Sequence, residues 1–356
     1  MEKVIKRLTA SSTWAASTDM TPIDFPKEGL ITEVKIRANI TATLTATAVG
    51  EFWRRVLQNI KIQGDGGRSY LGMSGEGMSR MLALWNEIVL GVPTLHSNGA
   101  DIALAGVDVG STNFITELIF HPGSNPKDPF DLSACIPARA LSTLQAALTT
   151  AAAAVTDPNG AITAGTFNYE INEVMGVPVQ PGMMTPLGST LSYAHTANYS
   201  DNGYDIDVPA GAFLRSIVML IQDATATTPY RKDDEVTGIK LKRPKAGDYL
   251  FEQSIYEAKQ TMMSRYGCRG IAGDVTPIGA IATIRPAPTS VIDNIPAGFV
   301  VIDLRPYGHP LYGLDLRNYQ TGDFKLGLTI ANYAAGDDTI IYWDQLMPVS
   351  NDLVGR

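Results

Sequence analysis

The sequence predicts an all-β protein built from two copies of one unit, and three observations carry that reading. Polar and apolar residues alternate with period two over long stretches, the 33 glycines and 21 prolines cluster between them, and one order of landmarks occurs twice in 356 residues. Period-two alternation buries one face of a strand and wets the other, as an antiparallel sheet requires. Frequent turn residues between short strands give the rhythm of sandwiches and jelly rolls.

Taken in chain order, the first landmark is Ile23-Asp24-Phe25-Pro26. The clearest alternation follows: Val34, Ile36, Ala38, Ile40, Ala42, Leu44, Ala46 and Ala48 are apolar, and the residues between them, Glu33 to Thr47, are polar. A run this long exceeds the usual ~3–10 residues of a strand, so a bend is expected to interrupt it. Met78, Met81, Leu82 and Trp85 then lie at helical spacing after a possible cap at Ser74, and their stripe reads as a helix packed on a barrel. Phe114-Thr116-Leu118-Phe120 resumes the strand pattern. An alanine-rich stretch, Ala146–Gly165, is broken by the turn signal Asp157-Pro158-Asn159-Gly160. Pro178-Val179-Gln180-Pro181-Gly182 and Thr185-Pro186-Leu187-Gly188 read as a short, stiff connector, which places the domains at 1–180 and 181–356. In the second copy Phe251, Ile255, Ala258, Met262 and Tyr266 predict a helix ended by Gly267, and Phe324-Leu326-Leu328-Ile330 a strand.

The two copies register by their landmarks. Ile23-Asp24-Phe25-Pro26 returns as Ile206-Asp207-Val208-Pro209 at an offset of 183, which also takes Leu30, Ile31, Val34 and Ile36 to Phe213, Leu214, Ile217 and Met219, and Leu8-Thr9 to Leu191-Ser192. Ile60-Lys61-Ile62 matches Ile239-Lys240-Leu241, and Tyr70-Leu71 matches Tyr249-Leu250, both at 179. Phe114 is set against Phe299 at 185, Asp131-Leu132 against Asp315-Leu316 at 184, and Glu173-Val174-Met175 against Gln345-Leu346-Met347 at 172. The last drop leaves 12 extra residues in the first copy, assigned to a lengthened surface loop in or near Ala146–Gly165, so deleting Thr150–Gly160 is expected to leave both barrels folded.

Composition narrows the function. Charged residues make up 18% of the chain, below the ~25% of an average soluble domain, which points to extensive protein–protein contact. A net charge of −8 argues against a nucleic-acid binder, and the basic group Lys3, Lys6 and Arg7 is expected on a mobile end. Cys135 and Cys268 are expected as free thiols. No apolar run approaches the ~18 residues of a membrane span, and no signal-peptide pattern opens the chain.

The residues assemble no catalytic constellation: the expectation is no enzyme, no catalytic, cofactor-binding or metal residues, no cofactor and no small-molecule substrate. His96, His121, His195 and His309 are too scattered for the converging imidazoles of a bicupin, and each reads as a loop or surface histidine. Gly72-Met73-Ser74-Gly75 is not a nucleophile elbow, and Gly64–Gly67 lacks the lysine of a phosphate loop. Asp233-Asp234-Glu235 and Asp337-Asp338 fit no calcium-loop spacing. Asn39-Ile40-Thr41 and Asn198-Tyr199-Ser200 match the glycosylation pattern, the first inside a presumed strand. The alternative reading, a secreted or cytoplasmic two-jelly-roll carbohydrate-binding or bicupin-like protein, wants a platform of exposed aromatics; of four tryptophans, Trp85 falls on a helix stripe and Trp343 in a terminal strand.

Two consecutive jelly rolls, each with a helix after its fourth-or-so strand, resemble the double jelly-roll major capsid proteins of icosahedral viruses. That lineage includes tailless membrane-containing phages, archaeal turreted icosahedral viruses and the adenovirus hexon. Gly29–Ile40, Val56–Ile62 running into Gly64-Asp65-Gly66-Gly67, Pro129-Phe130-Asp131-Leu132-Ser133, and the closing Thr339-Ile340-Ile341-Tyr342-Trp343 carry the resemblance over nearly the whole chain. It implies two eight-stranded barrels packed side by side, and a homotrimer forming a pseudo-hexameric capsomer that tiles an icosahedral shell. It further implies a virion location with assembly in the host cytoplasm, contacts with penton and minor capsid proteins, and an internal membrane or genome met by the amino-terminal segment.

Overall fold

The computed structural model describes residues 1–45, 52–73, 78–96, 99, 110–125, 127–152, 160–223, 230–232, 234–266, 298–305 and 313–354. The first barrel is made of β1 (Glu2–Thr13), β2 (Ile23–Asp24), β3 (Leu30–Leu44), β4 (Leu57–Gly64), β5 (Arg68–Met73), helix α1 (Met78–Trp85), β6 (Leu95–His96), β7 (Gly110–Phe120), β8 (Leu144–Thr150) and β9 (Gly160–Met175). The second is made of β10 (Met184–Ala194), β11 (Tyr199–Asp207), β12 (Phe213–Asp223), β13 (Tyr230–Arg231), β14 (Val236–Arg243), β15 (Asp248–Ser254), helix α2 (Ile255–Tyr266), β16 (Phe299–Asp303), β17 (Leu314–Asp315), β18 (Lys325–Ile330) and β19 (Asp337–Pro348).

Strand order shows the duplication directly. The first barrel pairs β1-β9-β3-β7 in one sheet and β2-β8-β4-β5 in the other. The second pairs β10-β19-β12-β16 and β11-β18-β14-β15, the same order strand for strand. Register agrees in detail. Leu30 faces Val174 as Phe213 faces Leu346, and Ile60 faces Leu148 as Ile239 faces Leu328. Even the irregularities coincide: the ladder slips between Ile31 and Glu33 and again between Leu214 and Ser216, so Thr32 and Arg215 are the extra residues of equivalent bulges.

Three sequence anchors need correction. Leu118 faces Ile36 as Val300 faces Met219, so Phe299 takes the place of Glu117, not Phe114. Leu71 faces Ile62 as Phe251 faces Leu241, so Tyr70 corresponds to Leu250 at an offset of 180. Ile136 bridges Ile31 as Leu314 pairs with Leu214, which moves Asp315 off Asp131. In each case a similar residue type a few places away imitated the match.

β3 runs from Leu30 to Leu44, held by β7 on one side and β9 on the other, and the expected interruption of the alternating run comes at its end, where Thr45 lies in a bend; residues 46–51 lie outside the described residues. Its even positions are buried and its odd positions from Lys35 on are not, as the alternation requires. Ser74 and Gly267 lie outside the described residues, whereas α2 begins four residues after Phe251, which belongs to β15. A capping box starts it: Glu257 N–H bonds Ser254 Oγ at 3.2 Å while Ser254 N–H reaches Glu257 Oε2 at 2.7 Å.

The connector is shorter than the sequence suggests, because Thr185–Gly188 belongs to β10, paired with Met347 to Asp344 of β19. Pro186 is tolerated there because β10 gains its second neighbour only at Gly188. Both ends of the proposed surplus stretch are structural too: Thr150 is fully buried, with Thr18 N–H bonded to its hydroxyl at 2.9 Å, and Gly160 pairs with Leu44. Removing all of Thr150–Gly160 would therefore cut into β8 and β9; residues 153–159 lie outside the described residues. Nor is the amino terminus a loose tail: β1 is an edge strand on β9, and Lys6 lies 2.6 Å from buried Glu173.

Candidate functional site at the barrel seam

The two barrels are joined edge to edge. Gly188 and Ser189 of β10 run parallel to Leu71 and Gly72 of β5, which makes a single sheet of β2-β8-β4-β5 and β10-β19-β12-β16. Gly188 is required by close approach: a β-carbon there would lie 2.0 Å from Tyr342 Oη. This junction explains a sequence feature that alternation alone passes over. Ile217-Val218-Met219-Leu220-Ile221 is apolar at both parities, because Ile217, Met219 and Ile221 fill the second barrel while Val218 and Leu220 face the first. Likewise Val300 and Ile302 turn inward and Phe299 and Val301 face the seam, and Ile341 and Trp343 turn inward while Ile340 and Tyr342 face the seam. Each such side chain removed from water contributes about 1.5–3 kcal/mol. The fully apolar runs in the second copy were the available signal that one of its sheets is covered on both faces.

Helix α1 closes the junction from the first barrel. Met81 and Leu82 meet Val218 and Tyr342 around a void of about 30 Å³, enough for water and not for a ligand. Arg80 donates to Gln222 across the seam at 3.3 Å, and the Trp85 ring lies 6.1 Å from that of Tyr266 on α2.

A polar clamp stands beside this apolar patch. Arg215 is buried and grips Asp344 through Nε at 2.8 Å and Nη2 at 2.9 Å, while Ser216 Oγ donates to the same carboxylate at 2.8 Å. Burial works against the guanidinium charge, but Asp344 more than offsets it and holds the Arg215 pKa above its ordinary value. The remaining nitrogen of Arg215 donates across the seam to the carbonyls of Pro122 and Gly123, and Arg305 donates to Ser124 O at 3.1 Å. These carbonyls are presented by a loop knotted around Asp131, which accepts from Asn125 N–H at 2.8 Å, Ser133 N–H at 2.8 Å and Ser133 Oγ at 2.8 Å. Burial raises the Asp131 pKa and these donors lower it further than burial lifts it. The segment Pro129–Ser133 thus shapes an acceptor loop for the second barrel.

Of the chemistry-bearing residues weighed in the sequence, His121 lines the seam void beside Arg215 and Asp344, and the other described ones fall elsewhere. His195 is buried, not superficial: its Nδ1 meets Glu235 and its Nε2 lies 3.1 Å from Thr339 Oγ1. The His121 side chain is also buried, with Nε2 2.9 Å from Asn125 O, and burial lowers its pKa. The His96 side chain and His309 lie outside the described residues, as does Cys268. Cys135 is a buried free thiol pushed up to about 12 by desolvation. Among the described residues no group of three or more His, Cys, Asp or Glu side chains is placed to hold a metal.

No protein-family model matches the chain, and no curated protein matches it. Solved structures do. The STIV MCP, from Sulfolobus turreted icosahedral virus, shares 13% identity at a TM-score of 0.69, covering 99% of this chain and 98% of that one. The fold is the double jelly roll. The PBCV-1 virus capsid matches at 10% identity and TM-score 0.60 over 99% of this chain and 96% of its own, and the Faustovirus major capsid protein at 6% and 0.53 over 98% and 91%. The double jelly roll is therefore shared end to end, and the seam described above lies at its centre.

Proposed function

We propose that this chain is a viral major capsid protein that forms homotrimers, each a pseudo-hexameric tile of an icosahedral shell. The observation that carries the reading is the edge-to-edge union of two barrels with identical strand order, in a fold matched over nearly its whole length by capsid proteins. Residues 1–180 and 181–356 are the two barrels of the tile. A duplicated barrel gives a threefold object six similar sides, which suits hexagonal packing. Five-fold vertices of a closed shell need a different tile, which is the place for penton and minor capsid partners. The location is the virion, with assembly in the host cytoplasm. A membrane or genome contact through the amino-terminal segment draws little support from β1, where Lys6 and Arg7 are already paired with Glu28, Glu173 and Glu170. Native mass measurement of the purified protein tests the reading, with electron microscopy of its assemblies. Trimers that associate into shells or sheets are expected; a protein monomeric at every concentration and salt overturns it.

A further inference from the structure

The repeat shows which surfaces join one copy to the next. At the seam, β5 of the first barrel is covered by β10, and Tyr70 and Leu71 are 0% exposed. The equivalent strand of the second barrel, β15, is an open edge among the described residues: Leu250, in the place of Tyr70, is 44% exposed, with Tyr249 at 53% and Tyr256 at 61% beside it. Between β15 and α2 lies a groove of about 840 Å³ lined by Glu252, Gln253, Glu257, Gln260, Thr261 and Arg265. At the other end of the chain, β1 is the equivalent of β10, and its outer edge is open too, with Ile5 56% exposed. Among the described residues there is therefore one filled copy of a socket and its plug, and one empty copy of each.

We propose that β1 of a second copy of this chain seats along β15 in the register in which β10 seats along β5. The proposal deepens the trimer reading and rests on it. Moving Gly188 and Ser189 back by 183 residues gives Ile5 and Lys6; moving Leu71 and Gly72 on by 180 gives Phe251 and Glu252. Ile5 of one chain thus lies beside Phe251 of the next, Lys6 beside Glu252, and Arg7 beside Gln253. Main-chain pairing satisfies two edges that are otherwise open among the described residues. Because plug and socket are different surfaces, the contact is heterologous, and it closes into a ring when three chains supply six equivalent barrel junctions.

The outer face that follows β1 into this contact is polar where the seam is apolar. Lys35 and Glu170, a pair 3.3 Å apart, stand at the positions of Val218 and Tyr342; Arg37, Asn168 and Glu117 stand at those of Leu220, Ile340 and Phe299. It meets the polar lining of the β15–α2 groove.

The test is directed cross-linking with Arg7→Cys and Gln253→Cys in a Cys268→Ser background, since paired strands bring α-carbons within disulfide reach. The double variant, oxidised and run without reductant, is expected to give covalent dimers and trimers. An equal mixture of the two single variants should give dimers only, and each single variant alone should stay monomeric under those conditions. Leu250→Lys should keep its melting temperature and lose trimer at least tenfold in association constant. Disulfide dimers from Gln253→Cys alone would mean that β15 pairs with another β15 and overturn the proposal. Trimers by native mass that neither cross-link nor weaken with Leu250→Lys would overturn this contact while leaving the trimer standing; a wild type that never trimerises removes both.

Discussion

Arg215 offers the sharpest test of what holds the barrels together. Arg215→Met removes a buried guanidinium that spans the seam and leaves Asp344 charged, buried and deprived of two donors. Two unit charges about 4 Å apart in surroundings of effective dielectric near 20 interact by about 4 kcal/mol. Stripping one partner from a buried ion pair costs about 3–5 kcal/mol in practice. The carbonyls of Pro122 and Gly123 lose their donor as well, at about 1 kcal/mol or more if water cannot replace it. Equilibrium urea unfolding followed by tryptophan fluorescence reads the loss, since Trp85 lines the same void as Arg215 and Asp344. A loss near 4 kcal/mol is expected, and Arg215→Met with Asp344→Leu should recover most of it, because no charge is left stranded. A single variant losing less than about 1 kcal/mol, as an exposed pair would, refutes the clamp.

Two further outcomes follow from equally local features. Burial pushes the Glu33 carboxyl up to about 7, with Glu170 and Glu117 adding to the rise and Lys35 opposing it. The fold then binds a proton that the unfolded chain has released, so stability should fall as pH rises from about 4.5 to about 7, by about 3 kcal/mol. Glu33→Gln should be level with wild type below that window and more stable above it in thermal melts at stepped pH; a gain at acid pH instead would contradict the sign. Gly188→Ala forces a methyl into Tyr342 at the junction of β5 and β10 and should cost about 1–3 kcal/mol by overpacking, measured by the same urea titration. An unchanged midpoint would show that Tyr342 can step aside.

Much of this architecture was legible in the residues. Ile36, Ala38 and Ile40 announce a strand with one wet face, and Ile23-Asp24 and Ile206-Asp207 do occupy matching places: Phe25 N–H bonds Leu144 O at 2.9 Å as Val208 N–H bonds Phe324 O at 3.0 Å. What stayed hidden depends on partners distant in sequence. That Tyr70 is buried and Leu250 open follows from β10, more than a hundred residues from β5 along the chain. The burial of His195 follows from meeting Glu235 and Thr339. The seam itself had a signal, the double-parity apolar runs of β12, β16 and β19, but strand-by-strand reading of period two treats such runs as noise.

The contrast between the two junctions has a physical logic. Val218 facing Tyr342 and Lys35 facing Glu170 occupy one position in two copies of one sheet, yet the first is sealed within the chain and the second faces outward. An interface that forms once, as the chain folds, can be apolar without exposing a sticky surface. An interface made later between separate molecules has to survive in water beforehand, and permanent interfaces are accordingly the more hydrophobic kind. Electrostatics across such a charged, polar surface screen with salt, so the proposed contact between copies is tunable by conditions that leave the apolar seam untouched. In the proposed trimer this division of polarity distinguishes two junctions, a covalently tethered one within the monomer and a reversible one between copies.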